Sequence, residues 1–103
     1  GLRKSHLIVE QTRSRNELMI GLYGERSKDD FYALEPHKQE IENELNIKFD
    51  WREMPTKKST YIVEVTPNIA FDDASKQQEY FDFIIDRLLR MRTAFLKYLT
   101  KWN

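Results

Sequence analysis

The two histidines are the first residues to test for chemistry, because histidine is the usual general base and the usual metal ligand. His6 lies in a strand-like segment, and His37 lies near the start of a helical one. They do not form an H-x-x-x-H or H-E-x-x-H pair, and the chain has no cysteine. We therefore predict that both histidines are structural and that the chain binds no metal or other cofactor.

The glycines and carboxylates do not form a catalytic motif either. Gly1, Gly21 and Gly24 build neither the G-x-S-x-G turn of a nucleophile nor a phosphate-binding loop. A restriction-type nuclease needs an Asp followed by Glu-x-Lys, so that two carboxylates hold Mg²⁺ and a lysine lies beside the attacking water. No Glu-x-Lys occurs in the sequence. We predict that this chain is not an enzyme.

Composition indicates one cytoplasmic domain. A chain of 103 residues fits a single domain, 1–103, and the absence of cysteine is typical of a reducing compartment. The apolar runs are too short to span a membrane, so we expect no membrane contact. Seventeen basic residues balance seventeen acidic ones, and nucleic acid would have to bind a local patch. Because Gly1 stands in place of Met, we expect a fragment or C-terminal domain of a longer protein.

The elements that must position any site are two hairpins and two helical regions. Segments 6–11 and 17–23 are rich in β-formers and predict a first hairpin, and 49–54 with 60–66 predict a second. Between the hairpins, apolar residues recur at helical spacing up to Leu45. Pro36 interrupts that pattern and predicts a helix start or bend near it, and Asn46 suits a left-handed cap.

A long final helix follows, which Asp72 or Asp73 can cap. Its predicted buried seam follows a spacing of three and four residues and consists of Phe81, Ile84, Leu88, Met91, Phe95, Tyr98 and Trp102.

The element order is therefore ββαββα, an α+β fold with a four-stranded, mostly antiparallel sheet and two helices on one face. If the first helix crosses the sheet, the second and third strands run parallel. The hairpin tips at Arg13-Ser14-Arg15 and Lys57-Lys58 would then project from opposite ends of the sheet.

Two surfaces are candidates for binding. A basic set could contact nucleic-acid phosphates, although the zero net charge favours a solvated helix face for most of it: Arg52, Lys57, Lys58, Arg87 and Arg90. Tyr23 and Tyr61 could stack on bases, whereas Phe49 and Trp51 share a strand face and suit the core.

The final helix also has more apolar side chains than one seam requires. Beyond the seam it carries Ile85 and Leu89 together with the predicted interface residues Tyr80, Phe83, Leu96 and Leu99. These are covered either by the first helix or by another chain, so a protein partner or self-association is expected.

Two segments carry a family resemblance. Ile41–Asn46 and Phe49–Lys58 resemble a prokaryotic family of uncharacterised domains with an Ile-Glu, a Leu-Gly helix end, a Trp, a Leu-Pro and a Lys-Lys. The sequence departs from that pattern at Asn46, Met54 and Tyr61, where Gly, Leu and Arg are usual.

Members of that family are commonly C-terminal to restriction-endonuclease-like nuclease regions. The resemblance therefore implies an accessory domain beside a DNA-acting module, with Lys57 and Lys58 in a binding role and Trp51 packed beneath them. It supplies no catalytic residue. The leading prediction is a non-catalytic accessory or interaction domain, and the alternatives are a nucleic-acid-contacting module or a homodimerisation domain.

Overall fold

Both predicted hairpins are present in the computed structural model, which describes residues 5–99. Strands β1 (Ser5–Thr12) and β2 (Glu17–Gly24) form the first, and β3 (Asp50–Arg52) and β4 (Thr60–Thr66) form the second. The β-branched and aromatic residues of these segments favour the pleated, half-buried surface of a sheet.

The four strands form one sheet in the order β1-β2-β4-β3, and every neighbouring pair is antiparallel. The predicted α+β fold and the ββαββα order are confirmed. Strands β2 and β3 run in the same direction, as predicted, because each pairs with β4 from opposite sides. They are not neighbours, so the sheet contains no parallel ladder within the described chain.

The register of the two central strands shows at which end of the sheet each hairpin tip lies. Gly24 pairs with Thr60 at one end of the sheet, and Leu18 pairs with Thr66 at the other. The tip at Arg13–Arg15 leads into β2 near Leu18, whereas the other tip leads into β4 at Thr60. The two tips therefore lie at opposite ends, as the sequence predicted, and their basic residues cannot form one patch.

The first helical region consists of α1 (Asp29–Leu34) and α2 (Lys38–Leu45), joined by a 3-10 turn over Glu35–His37. Pro36 lies in that turn, because its ring and missing N–H do not suit the interior of an α-helix. Asn46 ends α2 in the left-handed conformation with φ 55°, which confirms the predicted cap.

The second helix, α3 (Gln77–Tyr98), follows a 3-10 turn that Asp73 caps. The Asp73 carboxylate accepts hydrogen bonds from the hydroxyl and backbone N–H of Ser75 at 2.6 and 3.0 Å. These hydrogen bonds lower the pKa of Asp73 from its ordinary value of 3.8. The predicted seam residue Trp102 lies outside the described residues.

The core lies between the helices and one face of the sheet. Alternate residues of β2 point into it, and it is completed by residues of both helical regions, among them Leu18, Ile20, Leu22, Phe31, Leu34, Ile41, Leu45, Met91 and Phe95. Phe81 was predicted to belong to this seam, but that prediction is wrong, because its side chain is 60% exposed. No helix within residues 5–99 is long and apolar enough to cross a membrane.

One carboxylate fastens the short strand β3 to α2. Oε2 of Glu42 accepts the backbone N–H of Phe49 at 2.8 Å and the indole N–H of Trp51 at 3.1 Å. Both donors are removed from water by the surrounding packing, so a charged acceptor stabilises them. This contact holds Trp51 on the helix-covered face of the sheet.

Candidate interaction surface

Three large apolar side chains form a line along α3 and remain open to solvent. Phe81, Ile85 and Leu89 are four residues apart, which places them on one side of the helix. Their exposed fractions are 60%, 42% and 63%. We call these three residues the apolar stripe. A contiguous apolar surface on a small domain is typical of a binding site.

The contacts of α3 show which way the apolar stripe faces. On the opposite flank of the helix, Nε of Arg87 lies 2.9 Å from Oε1 of Glu64 on β4. On the same flank, Nη2 of Arg90 donates to the carbonyl of Leu45 at the end of α2, at 2.5 Å. That flank therefore faces α2 and β4. The apolar stripe lies on the other flank, toward β1.

A shallow groove separates the beginning of the apolar stripe from β1. Its volume is about 190 Å³, and its lining includes Gln11 of β1, Leu18 of β2, and Phe81 and Ile84 of α3. Phe81 and Gln11 therefore both line the groove. This arrangement places Phe81, the first residue of the stripe, beside the outer strand of the sheet.

Strand β1 is that outer strand, and no described element pairs with its outer edge. It is eight residues long, contains no proline or lysine within its described length, and carries Ile8 and Val9 at its centre. Val9 is on the helix-covered side of the strand, yet it is 39% exposed. A long unprotected edge beside exposed apolar residues is a template for pairing with another chain.

None of the predicted interface residues is among the exposed side chains of the apolar stripe. Tyr80 packs against the core and its hydroxyl accepts the N–H of Ala70 at 2.9 Å. Phe83 is half-buried beneath the Arg87 guanidinium, 4.5 Å from the ring centre. Leu96 is half-buried, and Leu99 is 4% exposed and belongs to the core.

Three of the five predicted basic residues are engaged within the domain. Nε of Arg52 lies 2.6 Å from Oδ2 of Asp50. Arg87 and Arg90 both contact Asp86, at 3.2 and 3.3 Å, in addition to the contacts described above. Because these guanidinium groups are paired with carboxylates, they do not form a continuous basic stripe along α3.

Lys57 and Lys58 are different, since both are exposed at the tip of the second hairpin and make no ion pair with any described residue. Trp51, which the resemblance placed beneath them, contacts aromatic rings of the core. Its ring centre is 6.1 Å from that of Phe31 and 6.3 Å from that of Phe49. The prediction that Phe49 and Trp51 are core residues agrees with this packing.

The family is decided by comparison with known domains. The model of a family described as Domain of unknown function (DUF4268) matches residues 2–99. The chain belongs to this family. No curated protein and no solved structure matched the chain. The DUF4268 domain thus accounts for nearly the whole chain, and its binding properties have to be inferred from its own surface.

The histidines of this DUF4268 domain make packing contacts. The ring of His37 stacks on that of Tyr98 at 4.5 Å, and Nδ1 lies 3.2 Å from Oε1 of Glu40. His6 meets the ring of Tyr23 edge-on at 5.5 Å. No group of three or more side chains suited to holding a metal ion occurs among the described residues.

The uncovered face of the sheet carries one transverse row of ring-bearing and basic side chains. The register places His6, Tyr23, Tyr61 and Arg52 side by side across the four strands. The two tyrosine rings are 4.9 Å apart. Burial raises the pKa of Tyr61, and nearby Tyr23 and Glu10 raise it further. This face is mixed in charge, which does not favour a phosphate backbone.

Proposed function

We propose that this DUF4268 domain is a non-catalytic accessory domain that binds protein through the apolar stripe and the adjoining edge of β1. The observation that carries the proposal is the exposure of Phe81, Ile85 and Leu89 in a single line on the β1 side of α3, together with the outer edge of β1, which no described element pairs. Sequence reasoning pointed to excess apolar surface on this helix, and the structure identifies which side chains provide it.

The energetics favour protein as the occupant. Removing apolar surface from water contributes about 25 cal/mol per Å², so covering three large side chains favours association by several kcal/mol before its entropic cost. A strand edge adds directional hydrogen bonds that fix the register of the partner. Nucleic acid offers neither a matching apolar surface nor a strand to pair.

The shape and lining of the groove support a non-catalytic role. The groove is small and open, and apolar side chains such as Leu18, Ile69 and Phe71 provide much of its wall. A catalytic pocket brings several polar groups together on one reacting atom. The polar side chains here are Gln11, Arg13, Gln77 and Tyr80. The two amides cannot act as bases, the Arg13 guanidinium lies 3.2 Å from Oδ1 of Asp72, and the Tyr80 hydroxyl accepts the N–H of Ala70.

The further proposal, that the protein served is a DNA-acting, nuclease-like one, is supported by the family resemblance of Ile41–Asn46 and Phe49–Lys58. In that arrangement the domain contributes binding, and the neighbouring region contributes chemistry. Sequencing the whole gene tests this point directly. A nuclease-like region bearing Glu-x-Lys upstream of the domain is the expected result, and an unrelated region would contradict it.

Thiol labelling tests the proposed interaction surface. The chain contains no cysteine, so Leu89→Cys introduces one reactive thiol on the apolar stripe, and Glu79→Cys provides a matched control on the opposite flank of α3. In the dilute purified domain both thiols should react rapidly. In cells that produce the natural protein, the thiol on the stripe should react about tenfold more slowly, which corresponds to about nine-tenths occupancy.

The control thiol should show no such protection. Equal labelling of both positions in cells would mean that the stripe is never covered, and the proposed function would then be wrong.

Lys57 and Lys58 favour a second candidate, a nucleic-acid contact at the hairpin tip, because they are exposed and form no ion pair within the described chain. Binding to an oligonucleotide at about 50 mM salt should weaken as salt rises. Lys57→Glu/Lys58→Glu should abolish it, whereas Lys38→Glu/Lys48→Glu changes the net charge equally at other exposed sites and should not. Absence of binding at low salt would eliminate this candidate.

A further inference from the structure

We propose that the occupant of this surface is a second copy of the same chain, which pairs antiparallel with β1 and is centred on Ile8. Two four-stranded sheets would then join edge to edge into one continuous sheet. This inference rests on the proposed function, because it names the partner of the same surface.

The symmetry of strand pairing restricts how two identical strands can meet. Identical antiparallel neighbours are related by a two-fold axis perpendicular to the sheet, so the helices of both copies lie on the same side. Residues opposite each other must then point to the same face. Side chains alternate along a strand, so the two-fold axis must lie at a position where one residue is opposite its own copy. It cannot lie between two consecutive residues, because these point to different faces.

The pairing of β1 with β2 shows which residues share a face. Leu7 and Val9 pair with Leu22 and Ile20, which are buried beneath the helices, so both lie on the helix-covered side. His6, Ile8 and Glu10 alternate with them and lie on the uncovered side.

Centring the axis on Ile8 matches every residue of this segment with a suitable partner. Ile8 then lies against Ile8 of the second copy, and Leu7 lies against Val9. On the uncovered side, the imidazole of His6 lies beside the carboxylate of Glu10, and the symmetry makes this contact twice. Apolar residues thus meet apolar ones, and a basic group meets an acidic one.

The neighbouring registers lack this complementarity. If the axis passes beside Leu7, Ile8 lies against His6. If it passes beside Val9, Ile8 lies against Glu10, and Leu7 lies against Gln11. Each shift places an apolar side chain beside a polar or charged one. The segment His6-Leu7-Ile8-Val9-Glu10 is therefore complementary to itself in one register, which favours a second copy over an unrelated strand.

The same register accounts for the apolar stripe. Since both copies of α3 lie on one side of the joined sheet, their stripes approach each other above the seam between the two β1 strands. Phe81, Ile85 and Leu89 of each copy would cover the exposed Val9 side chains. Formation of this dimer would therefore pair the backbone hydrogen-bonding groups at the edge of β1 and bury the exposed apolar surface.

A symmetric disulfide tests the register. Opposed residues of antiparallel strands have Cα atoms about 4.5–5.5 Å apart, which lies within the range that a disulfide spans. Ile8→Cys should therefore oxidise rapidly to a covalent dimer. Thr12→Cys is the matched control on the same face of the same strand, because its two copies would be about 26 Å apart along the strands.

A charge exchange tests the contact between His6 and Glu10. In sedimentation equilibrium at neutral pH, His6→Glu should weaken the dimer about tenfold, because like charges then face each other at two symmetric positions. Glu10→Lys should also weaken it, by several-fold. The double variant His6→Glu/Glu10→Lys should restore affinity to within about threefold of the parent, since opposite charges then face each other.

Circular dichroism of each variant at low concentration establishes that the monomer remains folded. A folded parent chain that stays monomeric at about 100 μM and forms no disulfide at position 8 would overturn the inference. A dimer whose affinity does not change in the His6 and Glu10 variants would also overturn the inference. Neither result would affect the proposed function, which depends on protection of the thiol at position 89 in cells.

Discussion

The apolar stripe should be dispensable for folding, and a pair of substitutions on α3 tests this directly. Leu89 is 63% exposed, whereas Met91, two residues further along the helix, is fully buried. Leucine and methionine have similar helix propensities, so replacing either with alanine changes the intrinsic stability of the helix by a similar small amount. Any difference between Leu89→Ala and Met91→Ala therefore reports tertiary packing.

The exposures set the expected magnitudes. Truncating a fully buried leucine or methionine to alanine costs about 2–5 kcal/mol, because the lost transfer energy adds to the cost of a cavity. Met91→Ala should fall in that range. Leu89 is only about one-third buried and leaves no cavity, so Leu89→Ala should cost less than about 1 kcal/mol, and the higher helix propensity of alanine offsets part of this.

Urea unfolding at about 1 μM, where association is minimal, provides the assay. With a denaturant dependence of about 2 kcal/mol/M, Met91→Ala should lower the midpoint by roughly 1 M or more, and Leu89→Ala by less than about 0.5 M. If Leu89→Ala is as destabilising as Met91→Ala, the stripe is part of the core. The domain would then have no free apolar surface to offer a partner, and the argument for an interaction role would fail.

Three further predictions concern the scaffold. Glu42→Ala should lower the free energy of unfolding by about 2 kcal/mol, because it removes the acceptor shared by Phe49 and Trp51. Glu42→Gln keeps an acceptor and should cost less. Urea unfolding followed by tryptophan fluorescence measures the stability of both variants. Gly21→Ala should cost about 3 kcal/mol or more in the same assay, since a Cβ would lie 2.0 Å from a backbone oxygen of β4. Asp73→Ala should destabilise the domain at neutral pH, and thermal unfolding should show the difference from the parent shrinking below about pH 4. In the folded state the hydrogen bonds from Ser75 lower the pKa of Asp73. The carboxylate therefore stabilises the fold fully above the unfolded pKa, and this contribution is lost as the pH falls through the lower pKa of the folded state. A stability difference between parent and variant that grows at low pH would contradict this cause.

Much of the fold could be predicted because local preference and tertiary structure agree. The β-branched segments of both hairpins form strands, and Asn46 takes the left-handed conformation that ends α2. The helical break at Pro36 follows from the missing N–H of proline. In each case the residue type acts within a few positions of itself, so its effect can be read without knowing the rest of the chain.

The position of the apolar stripe was harder to predict, because a helical wheel shows which residues share a side but not which side the sheet covers. A seam through Phe81, Ile84 and Leu88 fits the spacing as well as one without Phe81. The deciding contacts come from distant parts of the chain: Glu64 engages Arg87, and Leu45 engages Arg90. These contacts turn the helix so that Phe81 faces outward.

Contacts of this kind also explain why the sequence alone predicted more free basic residues for a binding patch than the structure has. A basic residue that the sequence alone predicts to be free is engaged within the fold once a carboxylate from another element lies beside it, as Glu64 of β4 lies beside Arg87 of α3. Pairing of this kind lowers the field that a phosphate would experience. Lys57 and Lys58 keep their charge available, since the hairpin tip brings no described carboxylate near them.

The placement of the stripe beside β1, and not elsewhere on α3, connects these observations to a function. An exposed strand edge is a hazard that proteins usually block with lysine, proline or a bulge, and none of these three occurs within the described length of β1, whose one charged residue is Glu10. An apolar flank on the β1 side of α3 increases the hazard if both stay uncovered. Both features would become favourable together if one partner paired with the strand and covered the flank, as the proposed second copy would with its own strand and stripe. A domain selected to remain alone would lose little by placing a lysine at Ile8 or Leu89, whereas a domain that pairs through this edge requires both positions to remain apolar.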